Sequence, residues 1–447
     1  MDGLFSGYIA CKFATGVLKK DFQYYMNKRR EHGFKLPLSS LTGYLMIAVD
    51  FDIDCETAQA LVDNDCCFIS LDHHDIQDEL IHVKSNTAEG IIINNQYPFE
   101  PEDNRYNSGA GITYEGLCEV APEFEDTELE AIVGITLLSD VRPIENEKAR
   151  KYLTKTYKQD CSTGYFKYLL ESTKKADFGF GVPRFDRNFI DFTFSPCINS
   201  LLRFGLEEQA LNFILGKGLE AVETKQRQQE LLRKMSERAS ILRLSSLTVA
   251  AININDFQDI GNIELEPFIG AFCSQIKNKG GNAIAFVVDN GVITRASFRG
   301  KYDGVHYRIG FRNMGLDARG HKNAFGIKDF KPTAQTWQEI NDLVEQLDES
   351  HEITAKIIKT SNIATVLNTR GYNIATENCY VRDEYRTYLQ YSGKNIVIGR
   401  ETSKYIEYIV DGRRIKCFDK DINLGNGLIL PMLEKGHVQL YMRPMIE

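Results

Sequence analysis

Cys67-Phe68-Ile69-Ser70-Leu71-Asp72-His73-His74 decides how this chain folds: an apolar run ends in one carboxylate and two adjacent imidazoles. A short apolar run bounded by polar residues reads as a buried strand, and ligand-type side chains at its end read as a site beyond a strand's carboxyl edge. Two further acids occupy comparable positions. Asp50 closes Leu45-Met46-Ile47-Ala48-Val49, and Asp140 follows the apolar stretch from Ile132 to Ser139. Together they read as a metal site built at strand ends. Carboxylates with neutral imidazoles and no thiolate suit manganese or magnesium, and two such ions ~3.5–4 Å apart activate water in phosphoester hydrolysis. An isolated Asp-His-His also fits a helix cap with two surface histidines; the flanking acids favour the metal.

Around this stretch, Phe5 to Leu18 reads as helix, Glu56 to Val62 as helix, and Ile91 to Ile93 as a short buried strand. Strand, helix, strand alternation with continuous apolar strands predicts an α/β fold with a doubly wound parallel sheet. From Ser108 to about Leu215 the pattern is helical, and Lys217 to Leu242 reads as one long connector helix, with Leu232, Met235, Ala239 and Leu242 at helical spacing. A second α/β pattern runs from Ser246 to about Glu349, with strands at Leu247–Ile252, Ala283–Val288 and Val292–Ala296. The last stretch is β-rich: Tyr385, Thr387, Leu389 and Tyr391 alternate with polar residues, and Asp411-Gly412 between two apolar runs signals a hairpin. The expected domains are 1–165, 166–243, 244–350 and 351–447.

The chain has 447 residues, 43% of them hydrophobic, enough for several cores. No apolar run reaches the ~20 residues of a membrane-spanning helix, and Lys12 interrupts the one stretch that mimics a signal sequence, so a cytoplasmic protein without a membrane is expected. Ten scattered cysteines with no CxxC pair indicate buried thiols rather than a zinc ribbon or a disulfide framework. A net charge of −9 argues against a uniformly cationic nucleic-acid binder while leaving room for a local basic groove.

Asp72-His73-His74, with Asp50 upstream and Asp140 downstream, resembles the DHH phosphoesterase superfamily. Further segments narrow the resemblance to its RecJ-like single-strand exonucleases: Asn107-Ser108-Gly109-Ala110-Gly111, the segment from Phe194 to Arg203, Ser297-Phe298-Arg299, and Arg319-Gly320-His321 through Gly326. The likeness covers roughly residues 1–330, and the ordered set is more specific than any piece. It implies a DHH domain, a connector, a DHH-associated α/β domain and an oligonucleotide-binding (OB-like) barrel at 351–447. It implies one ion held by Asp2, Asp50, His73 and Asp140, a second sharing Asp50, and manganese (or magnesium) as the metal. Asp72 and His74 would be catalytic, with His74 orienting substrate or assisting proton transfer. Asn199, Arg203, Ser297, Arg299, Gly320 and His321 would bind substrate phosphates. The bland readings are a surface Asn199/Arg203 pair, a structural His321, and a glycine-rich helix start at Gly109 that exists for packing alone.

One departure bears on the second ion. The first motif normally reads D-x-D-G, and Met1-Asp2-Gly3 places its first aspartate one position before Met1. One metal site and the strand before it are therefore expected to be incomplete, through a truncated reading frame or a degraded member. Arg319 also replaces the first glycine of the G-G-H element. The expected activity is 5′ to 3′ hydrolysis of single-stranded DNA, with single-stranded nucleic acid as partner, a single-strand binding protein as a further one, and tyrosines 385, 388, 391, 405 and 408 extending the track. The alternatives are a phosphodiesterase for short oligoribonucleotides or cyclic dinucleotides, and a non-catalytic nucleic-acid-binding scaffold.

Overall fold

The computed structural model describes residues 1–27, 34–51, 53–74, 80–97, 105–140, 142, 144, 146–173, 185–217, 221–261, 263–302, 304–351, 356–381, 386–393, 396–402, 405–418, 427–434 and 437–444. They form two compact units, one of residues 1–222, 358–381 and 389–447, the other of 223–357 and 382–388.

The first unit begins with helix α1 (Asp2–Gly16), followed by β1 (Leu45–Val49), α2 (Cys55–Asp63), β2 (Cys67–Asp72), β3 (His82–Lys84) and β4 (Glu89–Asn94). The sheet order is β1-β2-β4-β3, with β1, β2 and β4 parallel and β3 an antiparallel edge. Alternation along the strands feeds two cores. Ile47, Val49, Ile69 and Leu71 join the core that contains Phe5, Ile9 and Ile132, while Met46, Ala48 and Phe68 join the core of α2 residues Leu61 and Val62. Both faces of β1 and β2 are thus covered, as a doubly wound sheet requires. β4 departs from expectation: Ile91 and Ile93 are exposed, and only alternate residues are buried.

Helices α3 (Gly109–Val120), α4 (Thr127–Ser139), α5 (Glu147–Lys158) and α6 (Gly164–Ser172) follow. Capping side chains start three of them: Ser108 accepts from Gly111 N, Asp126 from Leu129 N, and Asn146 from Ala149 N. Asp140 is therefore the residue that ends a helix, α4, and not a strand. The run from Ile132 to Ser139 is apolar because α4 is buried almost all round, which leaves it without the one-sided pattern of a surface helix. A short helix α7 (Arg187–Phe189) passes through a π-helical turn (Ile190–Phe194) into α8 (Ser195–Arg203) and α9 (Glu207–Ile214).

α10 (Ala221–Arg238) is shorter than the connector expected over 217–242, and residues 218–220 lie outside the described residues. Ala239 falls between elements, and Leu242 belongs to β5 (Ser240–Arg243), which pairs antiparallel with β6 (Leu247–Asn253). Pairing with a neighbouring strand overrides the helical spacing there. Then come α11 (Ile269–Gly280), β7 (Asn282–Asp289), β8 (Val292–Arg299), α12 (Tyr307–Asn313), β9 (Asp317–Gly320), β10 (Ala324–Lys328) and α13 (Ala334–Glu349), with sheet order β5-β6-β7-β8-β10-β9.

The C-terminal sheet has the order β11-β12-β16-β17-β15-β14-β13, from β11 (Lys356–Thr360), β12 (Thr387–Tyr391), β13 (Ile396–Glu401), β14 (Ile406–Val410), β15 (Arg413–Cys417), β16 (Gly427–Glu434) and β17 (His437–Pro444). Helices α14 (Ile363–Val366) and α15 (Tyr372–Asn378) lie between β11 and β12 in sequence. Asp411 and Gly412 both have positive φ, 49° and 75°, as the hairpin turn needs. The segment after α15 docks on α5 and α7: Tyr157 donates to Cys379 O at 3.1 Å, and Arg187 Nη1 to Val381 O at 2.8 Å. That attachment of the C-terminal residues to the N-terminal ones was not legible in the sequence. Tyr388, Tyr391 and Tyr408 are buried core residues, which removes them from any base-stacking track, and Tyr385 lies outside the described residues. All ten cysteines are free thiols.

Candidate metal centre

Parallel pairing of β1 with β2 sets Val49 opposite Leu71, so the residues that leave the two strands meet at one edge. Asp50 follows Val49 in the left-handed region, φ 53°, and its N–H donates to Leu71 O at 2.9 Å. A non-glycine residue at such a φ costs of order 1 kcal/mol or more, and strain of this kind clusters at functional sites. Here it turns the Asp50 carboxylate toward His73, whose Nε2 lies 3.1 Å from Asp50 Oδ1.

Two helix ends bring the other acids. Asp2, in the first turn of α1, accepts Gly109 N at 2.6 Å and Ala110 N at 2.9 Å, so its carboxylate caps α3 across the fold. The positive end of that helix favours an anion. Asp2 Oδ2 is 3.5 Å from His73 Nε2, and Asp140 Oδ2, at the end of α4, is 3.7 Å from His73 Nδ1. Three of the expected ligands, Asp2, Asp50 and Asp140, therefore surround the fourth, the buried His73 imidazole, which two triads share: Asp2, His73 and Asp140, and Asp50, His73 and the neighbouring His74, each with ligand atoms within 4.8 Å of one another.

Two glycines make the approach possible. A Cβ on Gly109 would stand 2.5 Å from Asp50 Oδ1, and one on Gly3 would stand 2.7 Å from Asp50 Oδ2. The sequence marks Gly109 as a packing glycine, but its partner, 59 positions away in the chain by subtraction of 50 from 109, could not be read from it.

The electrostatics call for a cation. Burial and the charges of Asp50 and Asp140 raise Asp2 to about 7, against the lowering effect of His73 and the Ala110 N–H. Burial disfavours a charged His73, yet the close carboxylates Asp50, Asp140 and Asp2 outweigh it and raise its pKa. Among the described residues, buried His73 Nδ1 has no hydrogen-bond partner. Buried carboxylates crowded round an imidazole in this way are what a hard divalent ion satisfies.

Asp72 lies fully buried and does not join these groups; its Oδ1 is 2.7 Å from His74 Nδ1. That bond raises His74 to about 9, while Asp72 itself is lowered because His74 and His73 outweigh its burial. Asn94 Nδ2 donates to His74 O at 3.1 Å and pins the backbone.

Asn199 and Arg203 lie half-buried on α8 of the first unit. Ser297, Arg299, Gly320 and His321 belong to the second. Arg299 is held there by Ser274 Oγ at 3.1 Å, Ser297 Oγ at 2.9 Å and Phe298 O at 2.7 Å, and burial lowers its pKa. Gly320 has φ 131°, and a Cβ on it would meet Ala324 O at 3.0 Å. His321 is exposed.

No family model and no curated protein matches the chain. Solved structures do. RecJ from Thermus thermophilus in complex with Mn2+ aligns with a TM-score of 0.64 at 16% identity, over 100% of this chain and 67% of that one. The Mg2+ complex of the same RecJ aligns at 0.50 and 14% identity, over 92% and 68%. An exonuclease RecJ bound to manganese gives 0.49 and 17% identity, over 78% and 88%. Identities this low speak for architecture: the chain has the DHH-type α/β fold of the RecJ exonucleases.

Proposed function

We propose that this protein is a divalent-metal-dependent phosphodiesterase that degrades single-stranded nucleic acid, in the manner of a RecJ-like 5′ to 3′ exonuclease. The observation that carries the reading is the buried His73 imidazole among Asp2, Asp50 and Asp140. Those four residues would hold Mn2+ or Mg2+, with Asp50 shared toward a second ion beside His74. Bound there, the metal supplies Lewis-acid polarisation of phosphate and activation of water.

The protein's own groups supply the rest. Asp72 fixes His74 by its Nδ1, which leaves Nε2 turned to the site, and in the metal-free protein that bond raises the imidazole to about 9. His74 would bind a phosphate oxygen or, when protonated, donate its proton to the departing one. Arg299 and His321 in the second unit, with Asn199 and Arg203 on α8, would bind backbone phosphates. Among the described residues no helix is long and apolar enough to cross a membrane. A cytoplasmic setting and a single-strand binding protein as partner belong to the same reading.

The test is hydrolysis of end-labelled single- and double-stranded DNA with Mn2+. Mononucleotides released from the 5′ end of single strands, lost in Asp50→Ala and His73→Ala, are expected. Preference for two- to five-nucleotide RNA would move the substrate to short oligonucleotides, and strand binding without cleavage would indicate a scaffold.

A further inference from the structure

β9 is the outer strand of its sheet, and the pairing with β10 shows which of its carbonyls face outward. His321 and Ala324 exchange backbone hydrogen bonds, so in an antiparallel ladder Arg319 turns inward, while Ala318 and Gly320 turn away from β10. Outward carbonyls on an edge strand need another partner. α12 provides it. Arg312 Nε donates to Ala318 O at 2.9 Å, and Arg308 Nη1 donates to Gly320 O.

The match is one of period. Residues four apart rise ~6 Å along a helix, and residues two apart rise ~6.7 Å along a strand, so successive turns of α12 meet successive outward carbonyls. Arg308 does more than cap the edge. Its backbone N–H donates to Lys322 O at 2.9 Å, and Gly300 N donates to Asn323 O at 2.7 Å. The turn that carries His321 is therefore held at Gly320, Lys322 and Asn323, with Arg308 gripping it on both sides of His321.

We propose that Arg308 is a positioning residue for substrate: it sets the height and tilt of the His321 turn, whereas Arg312 serves only the strand behind it. This rests on the reading of His321 as a phosphate contact. The guanidinium suits the task because it donates in a fixed plane, which a flexible ammonium does not.

The experiment compares Arg308→Ala, Arg312→Ala, His321→Ala and the Arg308→Ala/His321→Ala double variant of the full chain, on a 5′-labelled single-stranded oligodeoxynucleotide with Mn2+. Arg308→Ala is expected to lower kcat/KM by roughly 10-fold, chiefly through KM, since small displacements of a positioning group are costly. Arg312→Ala should stay within about twofold, as surface changes do. In the His321→Ala background, loss of Arg308 should cost nothing further. Losses that multiply, or equal losses for Arg308 and Arg312, overturn the proposal.

Hydrogen exchange at residues 320–324 gives a readout independent of turnover: faster exchange in Arg308→Ala but not in Arg312→Ala is expected, and equal protection refutes the positioning role. Arg308→Lys, which keeps the charge but not the fixed plane of donors, should restore only part of the KM effect. No hydrolysis by the wild type would sink the proposed function, whereas intact activity in His321→Ala would sink this inference alone.

Discussion

Substituting Gly109 by alanine adds one methyl group at the most crowded point of the centre. The new Cβ would stand 2.5 Å from Asp50 Oδ1 and 2.8 Å from Asp50 Cβ and Cγ. Ordinary contacts of this kind lie near ~3.5 Å, so the carboxylate must retreat by about 1 Å. It has little room: Gly3 lies on its other side, and the backbone is fixed by the bond from Asp50 N to Leu71 O. Helix α3 itself tolerates the change, since alanine is favoured over glycine by up to ~1 kcal/mol in a helix. Metal affinity should therefore suffer, beside an overpacking cost of roughly 1–3 kcal/mol in the metal-free protein. Displacing a ligand in this way costs on the order of 10–100-fold in affinity. At Mn2+ concentrations about 100 times the wild-type dissociation constant, the ~2.7 kcal/mol of metal-linked stabilisation would fall to about 1.4 kcal/mol for a 10-fold loss and about 0.4 kcal/mol for a 100-fold loss. Thermal unfolding with and without Mn2+, beside isothermal titration, measures both quantities. A variant whose melting temperature still rises with Mn2+ as in wild type would refute the reasoning that Asp50 is held in a fitted slot.

Four further outcomes are expected. Asp2 is raised from 3.8 to about 7, so in the metal-free protein the unfolded state ionises first and stability falls as pH rises from about 4 through 7. Mn2+ must displace the Asp2 proton, so affinity should weaken below pH ~7 with proton uptake by the buffer; calorimetry in two buffers showing no proton release near pH ~6 would contradict this. Asp72→Asn removes the carboxylate that raises His74, and the imidazole should fall from about 9 toward its usual ~6.5, read by NMR titration; an unchanged value would show that Asp72 does not control it. Phe194→Ala empties a site among the rings of Phe5, Phe185, Phe189 and Phe213, and should cost roughly 3–5 kcal/mol in denaturant unfolding, with a loss under about 1 kcal/mol arguing against that core.

What the sequence disclosed depended on the range of the interaction. β1, β2, α2 and the 411–412 hairpin are set by runs and turn residues a few positions apart, and these were legible. β5 was not, because Ala239 and Leu242 continue a helical spacing that only pairing with β6 can cancel. The exposed Ile91 and Ile93 misled in the opposite sense. An apolar triplet predicts burial on both faces, whereas the alternation of β4 depends on what covers each side of the sheet. Tyrosines in the C-terminal strands carry the same lesson: alternating rings suggested an accessible track, yet Tyr388, Tyr391 and Tyr408 fill the interior.

The identities of the clustered groups were more legible than the way they are held. Asp50, His73 and Asp140 follow apolar runs that mark them, but Asp140 comes from a helix, and Asp2 depends on an interaction with α3 that no local pattern announces. That interaction also explains why the centre is poised for a cation. Two backbone N–H donors at a helix start ordinarily hold a carboxylate well below its usual pKa. Asp2 has both, together with a neighbouring imidazole, and is nevertheless raised to about 7 by burial and by Asp50 and Asp140. The repulsion among the three acids, added to the cost of burial, therefore exceeds what the fold's own donors can neutralise. A divalent ion would reverse the sign of that interaction, since each carboxylate would then face a larger positive charge than the negative charge beside it. Replacing Asp140 with asparagine should accordingly lower the Asp2 pKa in the metal-free protein while weakening Mn2+ binding. Carboxyl titration by NMR and calorimetry would show the two changes together, and a fall in affinity without the accompanying pKa change would mean that Asp140 serves as a ligand alone and not as part of a coupled acidic set.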